Sequence, residues 1–370
     1  MKICHVSDSH LGAGDNYPRR APSGLTVRQE DIIRSFTEAI DRIIEIRPDV
    51  CIHSGDLFHA VRPTNRILAI AVQQLHRLAA EAGIPTVIIA GNHDAPKQPH
   101  IGAALEVFEQ IGNLYVAARG EMVRFDLAGG AFFALPHCLT AESLKEQLAR
   151  CLPDPEAGHN ILIMHGVAAG MPEFSMADLG EQELPLDLMD RFDYTALGHF
   201  HNFCQVSGKA WYAGSTERLS QSEREAAKGF LTVEFDPLRV KLHEVTTRTM
   251  VDLETIDAGG KRGDQLAEII REKLQKVDSS DKIVRVKVEG VSPETLKTLP
   301  ADTLAELKQK AYALDIRFEK EKEEAAETLD RPALGQLDKS FTQFLDTVDL
   351  TGFDRERLVR EALRYLTAAD

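Results

Sequence analysis

Asp8-x-His10 follows the apolar run Ile3 to Val6, and His199-x-His201 follows a second such run at Tyr194 to Leu197. Metal-loving side chains two residues apart at a strand end can project into one site, because side chains repeat with period two. Three more apolar runs end in the same way. Val50 to His53 delivers Asp56, Pro85 to Ile89 delivers Asn92, His93 and Asp94, and Asn160 to Met164 delivers His165. Asp8, His10, Asp56, Asn92, His165, His199 and His201 thus offer seven oxygen or nitrogen donors from five strand ends. One catalytic zinc takes three protein ligands, so seven donors imply two divalent ions sharing a carboxylate, with Asp56 the natural bridge. Imidazole mixed with carboxylate, and no thiolate, fits manganese or iron and tolerates zinc, whereas magnesium favours an all-oxygen site. Taken singly, each residue also reads as a turn former, a cap or a satisfied histidine. Their recurrence after five apolar runs does not.

The elements that must position these donors alternate. Ile32, Ile33, Phe36, Ile40, Ile43 and Ile44 recur at helical spacing between Asp31 and Arg47, and a second helix is expected from Thr64 to Ala82. Strand, helix, strand, helix, strand predicts a parallel sheet, in which ligands gather beyond the carboxyl ends of the strands. Asn16 to Gln29 is rich in Pro, Gly and Arg and reads as an exposed loop carrying Arg19 and Arg20. Phe132 to Leu135 reads as a strand and Ala141 to Arg150 as a helix. Ala210 to Ala213, Gly229 to Phe235 and Val240 to Val245 alternate like antiparallel strands expected to complete a second sheet. A first domain, residues 1–248, closes there.

With 43% hydrophobic and 27% charged residues the chain of 370 can bury a full core. Its N-terminus enters a strand at once and no segment is long and apolar enough for a membrane span, which points to a cytoplasmic chain with no membrane association. Cys4, Cys51, Cys138, Cys151 and Cys204 are scattered, so reduced thiols are expected. The formal charge of −15 argues against indiscriminate binding of nucleic acid, which is dominated by phosphate neutralisation. Residues 249–320 read as a small α+β domain, with strands at Val251 to Ile256, Ile283 to Glu289 and Ile316 to Lys320 and helices at Gly263 to Val277 and Thr303 to Leu314. Its stretch Lys261 to Lys287 is locally basic, either a DNA contact or a solvated face. Residues 321–337 read as a linker. Residues 338–370 read as a helical pair whose apolar stripes (Phe341, Phe344, Leu345, Val348; Leu358, Val359, Leu363, Leu366) two short helices cannot bury alone.

Asp8-x-His10, Gly55-Asp56, Gly91-Asn92-His93-Asp94, His165 and Gly198-His199-x-His201 resemble, in order, the five motifs of the calcineurin-like metallophosphoesterases. Ser7-Asp8-x-His10-Leu11-Gly12, and Gly55-Asp56-Leu57-Phe58-His59 followed by Arg62-Pro63, resemble the SbcD-type nucleases, the bacterial counterpart of the meiotic recombination eleven family. The resemblance implies an α/β fold: a two-sheet metallophosphoesterase sandwich flanked by helices, with a small α+β capping domain and a C-terminal helical pair. It implies that Asp8, His10, Asp56 and His201 hold one metal and Asp56, Asn92, His165 and His199 the other. His93 would be catalytic, protonating the leaving oxygen, with Asp94 available to orient it and His59 a second imidazole near the leaving group. Arg19, Arg20, Arg62 and Lys97 are candidates for phosphate contacts.

The activity implied is a manganese-dependent DNA exonuclease and endonuclease with two divalent ions, Mn2+ foremost, in an ATPase-coupled double-strand-break repair complex. The implied partners are DNA, an SbcC-type SMC-like ABC ATPase bound by the C-terminal helices, and a second copy of the chain, packed through Thr64 to Ala82 and Ile101 to Ile111. The alternative is a dinuclear phosphodiesterase acting on a small nucleotide or lipid-linked substrate. A scaffold that merely recruits a partner is disfavoured by the intact donor set.

Overall fold

A computed structural model describes residues 1–17, 19–98, 101–170 and 183–320; the expected linker and C-terminal helical pair lie outside these residues. The chain begins with β1 (Lys2–Val6), α1 (Val27–Ile46), β2 (Val50–His53), α2 (Asn65–His76), β3 (Thr86–Ile89) and β4 (Leu114–Ala117). β1 to β4 pair in parallel, side by side. Next come β5 (Val123–Leu127), β6 (Gly130–Leu135), α3 (Ala141–Leu148), β7 (His159–His165), β8 (Val167–Ala168), β9 (Glu183–Leu184), α4 (Leu186–Met189), β10 (Tyr194–Gly198), β11 (Cys204–Gln205) and β12 (Ala210–Tyr212). They supply a second sheet of order β11-β12-β10-β7-β6-β5, in which β6, β7, β10 and β12 run parallel.

β13 (Gly229–Glu234) and β14 (Arg239–Glu244) correct one expectation. They do not extend the second sheet but return to the first, where β13 lies antiparallel to β1, Ile3 opposite Val233 and His5 opposite Leu231. The alternation of Leu231 and Val233 identifies a strand with one buried face, but either sheet could have buried it. The two sheets face each other through Ile3, Ile52, Val87, Phe132, Ile161, Ile163, Ala196 and Leu231. α1 and α2 cover the outer face of the first sheet, sealing Cys4, Val6, Cys51 and Ile88 with Phe36, Ile40, Ile67 and Leu75. Each large apolar side chain sealed in this way contributes about 1.5–3 kcal/mol.

Boundaries shift where caps were not read. α1 starts at Val27 because Thr26 and Gln29 form a capping box, Thr26 Oγ1 accepting from Gln29 N (3.1 Å) and Gln29 Oε1 from Thr26 N (3.0 Å). The expected loop to Gln29 therefore ends at Thr26, and Arg28 is buried in the first turn. The helix expected to reach Ala82 gives way to a π turn at Arg77–Glu81, and Ala104–Gln110 is a 3-10 helix.

Beyond Arg248 the chain builds a third sheet from β15 (Met250–Asp252), β16 (Ile256–Asp257), β17 (Ile283–Val291) and β18 (Ala313–Lys320), with α5 (Gly263–Lys276), α6 (Pro293–Lys297) and α7 (Ala301–Lys310). It has its own core of Leu266, Ile270, Leu274, Val284, Val286, Val288 and Leu307. The expected helix to Leu314 ends four residues early, and its tail begins β18 instead. All five cysteines are free thiols, as read from their spacing. Among the described residues no helix is long and apolar enough to cross a membrane.

Candidate metal centre

The seven donors arrive at one place because β1, β2 and β3 of one sheet and β7 and β10 of the other all end there. Tight backbone contacts bring the ends together: Asp8 N donates to Gly55 O (3.0 Å), His10 N to Asp56 O (3.0 Å) and Gly166 N to Gly198 O (3.2 Å). Gly91 packs so closely on Asp56 that a Cβ there would collide with its carboxylate and its backbone nitrogen. Asp8 (φ 49°), His10 (φ 43°), Asp56 (φ 53°) and His199 (φ 107°) all occupy the left-handed region, costly for residues with a side chain. Such strain persists where surrounding structure overdetermines it, and it concentrates at functional sites.

Asp56 Oδ2 lies 3.5 Å from His10 Nε2 and 3.4 Å from His165 Nε2, the middle position expected of a bridging carboxylate. On one side His10 Nε2 and His201 Nε2 approach to 3.1 Å, and Asp8, His10 and His201 form a compact donor group. On the other, His165 Nε2 is 3.0 Å from Asn92 Oδ1, which is 3.3 Å from His199 Nδ1. Asp8 also belongs to a group with Asp56 and His165, so it borders both halves. Both Asp8 oxygens accept from His199 N at 3.1 Å.

The outer ring nitrogens decide what these donors want. His165 Nδ1 donates to Ser54 O (2.9 Å), so its Nε2 presents a lone pair toward Asn92 Oδ1 and Asp56 Oδ2, two further acceptors. Converging acceptors in a buried site require a cation between them or a proton in its stead. That competition shifts the acidity of both partners. Against burial, which lowers it, the Asp56 carboxylate pushes His165 up to about 9, while the surrounding imidazoles hold Asp56 well below the usual carboxylate range despite its burial. The donor set therefore fits two divalent ions, one toward His10 and His201 and one toward Asn92, His165 and His199.

His93 stands at the edge of this cluster. Its backbone N donates to Asp56 Oδ1 (2.9 Å) and its Nδ1 to the carbonyl of His59 (2.9 Å), which leaves Nε2 for other work. The His59 and His93 rings stack at 5.3 Å, and His59 Nδ1 is 3.3 Å from His10 Nδ1. Asp94, expected beside the His93 ring, is placed differently. It is buried, and its two oxygens accept from the backbone nitrogens of Leu57 (3.1 Å), Phe58 (2.9 Å) and Gly91 (3.1 Å). Burial, together with the Asp56 charge, pushes its carboxyl up to about 7 against the pull of those three N–H groups. It clamps the ends of β2 and β3 rather than an imidazole.

The model of the calcineurin-like phosphoesterase family matches residues 1–203, a span that includes every one of these donors. A DNA double-strand break repair protein Mre11 of Sulfurisphaera tokodaii is 30% identical over 79% of this chain and 74% of its own. Its counterpart in Methanopyrus kandleri is 28% identical over 100% of this chain and 79% of its own, and that of Haloferax volcanii 30% over 78% and 61%. The chain belongs to the Mre11 family of calcineurin-like phosphoesterases. As a member it is a metal-dependent phosphoesterase. In this Mre11-family chain two of the basic candidates are engaged by other groups and two are exposed. The Arg19 guanidinium lies over the Tyr312 ring at 5.9 Å, Arg20 donates to Gly24 O within its own loop (3.2 Å), and Arg62 and Lys97 are exposed in the loops after Asp56 and Asn92. Two residues that sequence reasoning missed, Glu223 and Lys228, lie behind His201. Their stretch, Ser220 to Lys228, follows no apolar run and carries no signal that separates it from a solvated turn.

Proposed function

We propose that this chain is a manganese-dependent DNA exonuclease and endonuclease, the nuclease subunit of an ATPase-coupled double-strand-break repair complex. The observation that carries the reading is His93, whose Nδ1 is fixed on the His59 carbonyl so that Nε2 is left at the edge of a paired donor cluster. Asp8, His10, Asp56 and His201 would hold one Mn2+ and Asp56, Asn92, His165 and His199 the other. Ions held there would supply charge to neutralise phosphate oxygens and acidify an attacking water. The chain's own residues complete the reaction. His93 in its protonated form delivers a proton from Nε2 to the departing sugar oxygen, and His59 keeps that ring in place through its carbonyl. DNA as substrate accords with the repair role in the names of the similar proteins. Residues 249–320 act as a capping domain over DNA, and 321–337 as a linker. Residues 338–370 bind the coiled coil of an SbcC-type ATPase, and α2 with Ala104–Gln110 packs against a second copy, all in the cytoplasm.

The test is cleavage of end-labelled linear duplex and hairpin DNA with Mn2+, beside a His93→Ala variant. General-acid loss predicts a fall of about 100- to 10,000-fold in cleavage, with both ions still bound. Hydrolysis of small phosphodiesters while both DNA substrates stay intact, alone and with the ATPase, would sink the nuclease reading.

A further inference from the structure

His201 is held at both of its ends by one buried pair of charges. Its Nδ1 is 3.2 Å from Glu223 Oε1, while its backbone carbonyl accepts from Lys228 Nζ at 2.8 Å. Glu223 and Lys228, 5% and 2% exposed, are themselves in direct contact, so the ring and the backbone of one donor residue answer to one ion pair. The carboxylate is otherwise saturated. Oε1 accepts from Ser220 Oγ (3.0 Å), and Oε2 from Leu219 N (3.2 Å) and Ser215 Oγ (3.4 Å). The ammonium also reaches Ser215 Oγ (3.0 Å) and Asn202 Oδ1 (3.4 Å).

Such a pair is a poor investment in stability alone, because desolvating two charges costs about what their attraction returns. It does something a neutral partner would not. With Nδ1–H donated to a carboxylate, the His201 tautomer is fixed with its Nε2 lone pair toward His10 Nε2, and the ring becomes a stronger donor. His165, in the other half, gives its Nδ1–H to the neutral carbonyl of Ser54.

We propose that Glu223, anchored by Lys228, is the positioning residue for His201 and strengthens the hold of Asp8, His10, Asp56 and His201 on their metal. The inference rests on the two-metal reading above. Removing the carboxylate weakens one ion selectively, and neutralising the pair without a cavity keeps the fold while leaving that ion weak.

Mn2+ titration of the metal-stripped full chain, by calorimetry and by the paramagnetic resonance of free Mn2+, tests this without any turnover. The expected result is two ions in the native chain. Glu223→Ala should weaken one of them by about 10- to 100-fold, and Glu223→Gln, which can still accept from Nδ1–H, should weaken it less. Lys228→Met should lower the melting temperature by stranding a buried carboxylate. The double variant Glu223→Gln with Lys228→Met should recover that temperature but not the affinity. Native affinity for both ions in Glu223→Ala, or affinity restored in the double variant along with the melting temperature, would overturn the assignment and leave a packing role. A native chain that binds fewer than two ions would instead bring down the two-metal reading, and the inference with it.

Discussion

Asp94 separates what a motif says from what a side chain does. Next to His93 in sequence, it invites a role in proton transfer, yet its oxygens are taken by three backbone N–H groups of Leu57, Phe58 and Gly91. Each of those donors is buried and would lose its partner if the carboxylate were removed, at roughly 1–3 kcal/mol apiece. Asp94→Ala should therefore destabilise the chain by about 3 kcal/mol or more, seen as a lower urea midpoint. Asp94→Asn, which keeps one acceptor oxygen, should lose less. If Asp94 served mainly the His93 ring, the two variants would melt like the native chain and differ only in turnover. His59 is similarly double. Its imidazole meets the outer nitrogen of His10 while its carbonyl fixes His93, so its ring and its backbone serve different neighbours.

Strand ends, not individual residues, made the site legible in advance. Each of the seven donors follows an apolar run that buries its own strand, and a polar metal-loving residue recurring there has little other purpose. The capping box of α1 was equally present in Thr26 and Gln29 but was masked by the Pro, Gly and Arg of the preceding loop. The sheet assignment of β13 and β14 was not legible, since alternation gives a buried face and no partner. Glu223 was silent for a related reason: it reaches His201 across 22 residues from a short 3-10 turn without periodicity. The strand ends also depend on a missing side chain. Gly91→Ala would thrust a methyl group onto the Asp56 carboxylate, forcing the ends of β2 and β3 apart. Overpacking of this kind costs about 1–3 kcal/mol, and here the displaced group is the Asp56 carboxylate, proposed above to be shared by both ions. The variant should bind at most one Mn2+ by titration while keeping its far-ultraviolet circular dichroism. Retention of two ions at native affinity would mean that the loop can yield without moving Asp56.

Across the whole molecule, the third sheet is tied to the first by a buried carboxylate. Asp31 of α1 accepts from Arg248 Nη2 (2.6 Å) and Nε (3.0 Å) and from the Tyr312 hydroxyl (2.6 Å), and the Arg248 guanidinium lies over the Tyr312 ring at 4.1 Å. Arg28 closes the cluster from the same helix and also reaches Glu217. A second tie runs nearer the metal centre, where Gln221 Nε2 donates to Asp252 Oδ1 (2.9 Å) from the turn that carries Glu223. Burial alone would raise the Asp31 carboxyl, but Arg248, Tyr312 and Arg28 hold it below the usual range. The sign of the linkage follows. A carboxyl lowered by folding contributes stability above its unfolded value, near 3.8, and loses it as pH falls through its folded value. Asp31→Asn should thus cost up to about 3–5 kcal/mol at pH 7, by stranding the buried Arg28 and the half-buried Arg248. The deficit should shrink as pH drops below about 4, where the unfolded carboxyl takes up a proton first, and should vanish only once pH has passed the lower folded value. Urea unfolding at stepped pH, with hydrogen exchange on β18, reads both the size and the place of the loss. A deficit constant from pH 7 to pH 3 would mean that Asp31 acts through shape alone. One confined to low pH would reverse the assigned sign, and with it the view that this carboxylate holds the third sheet against α1.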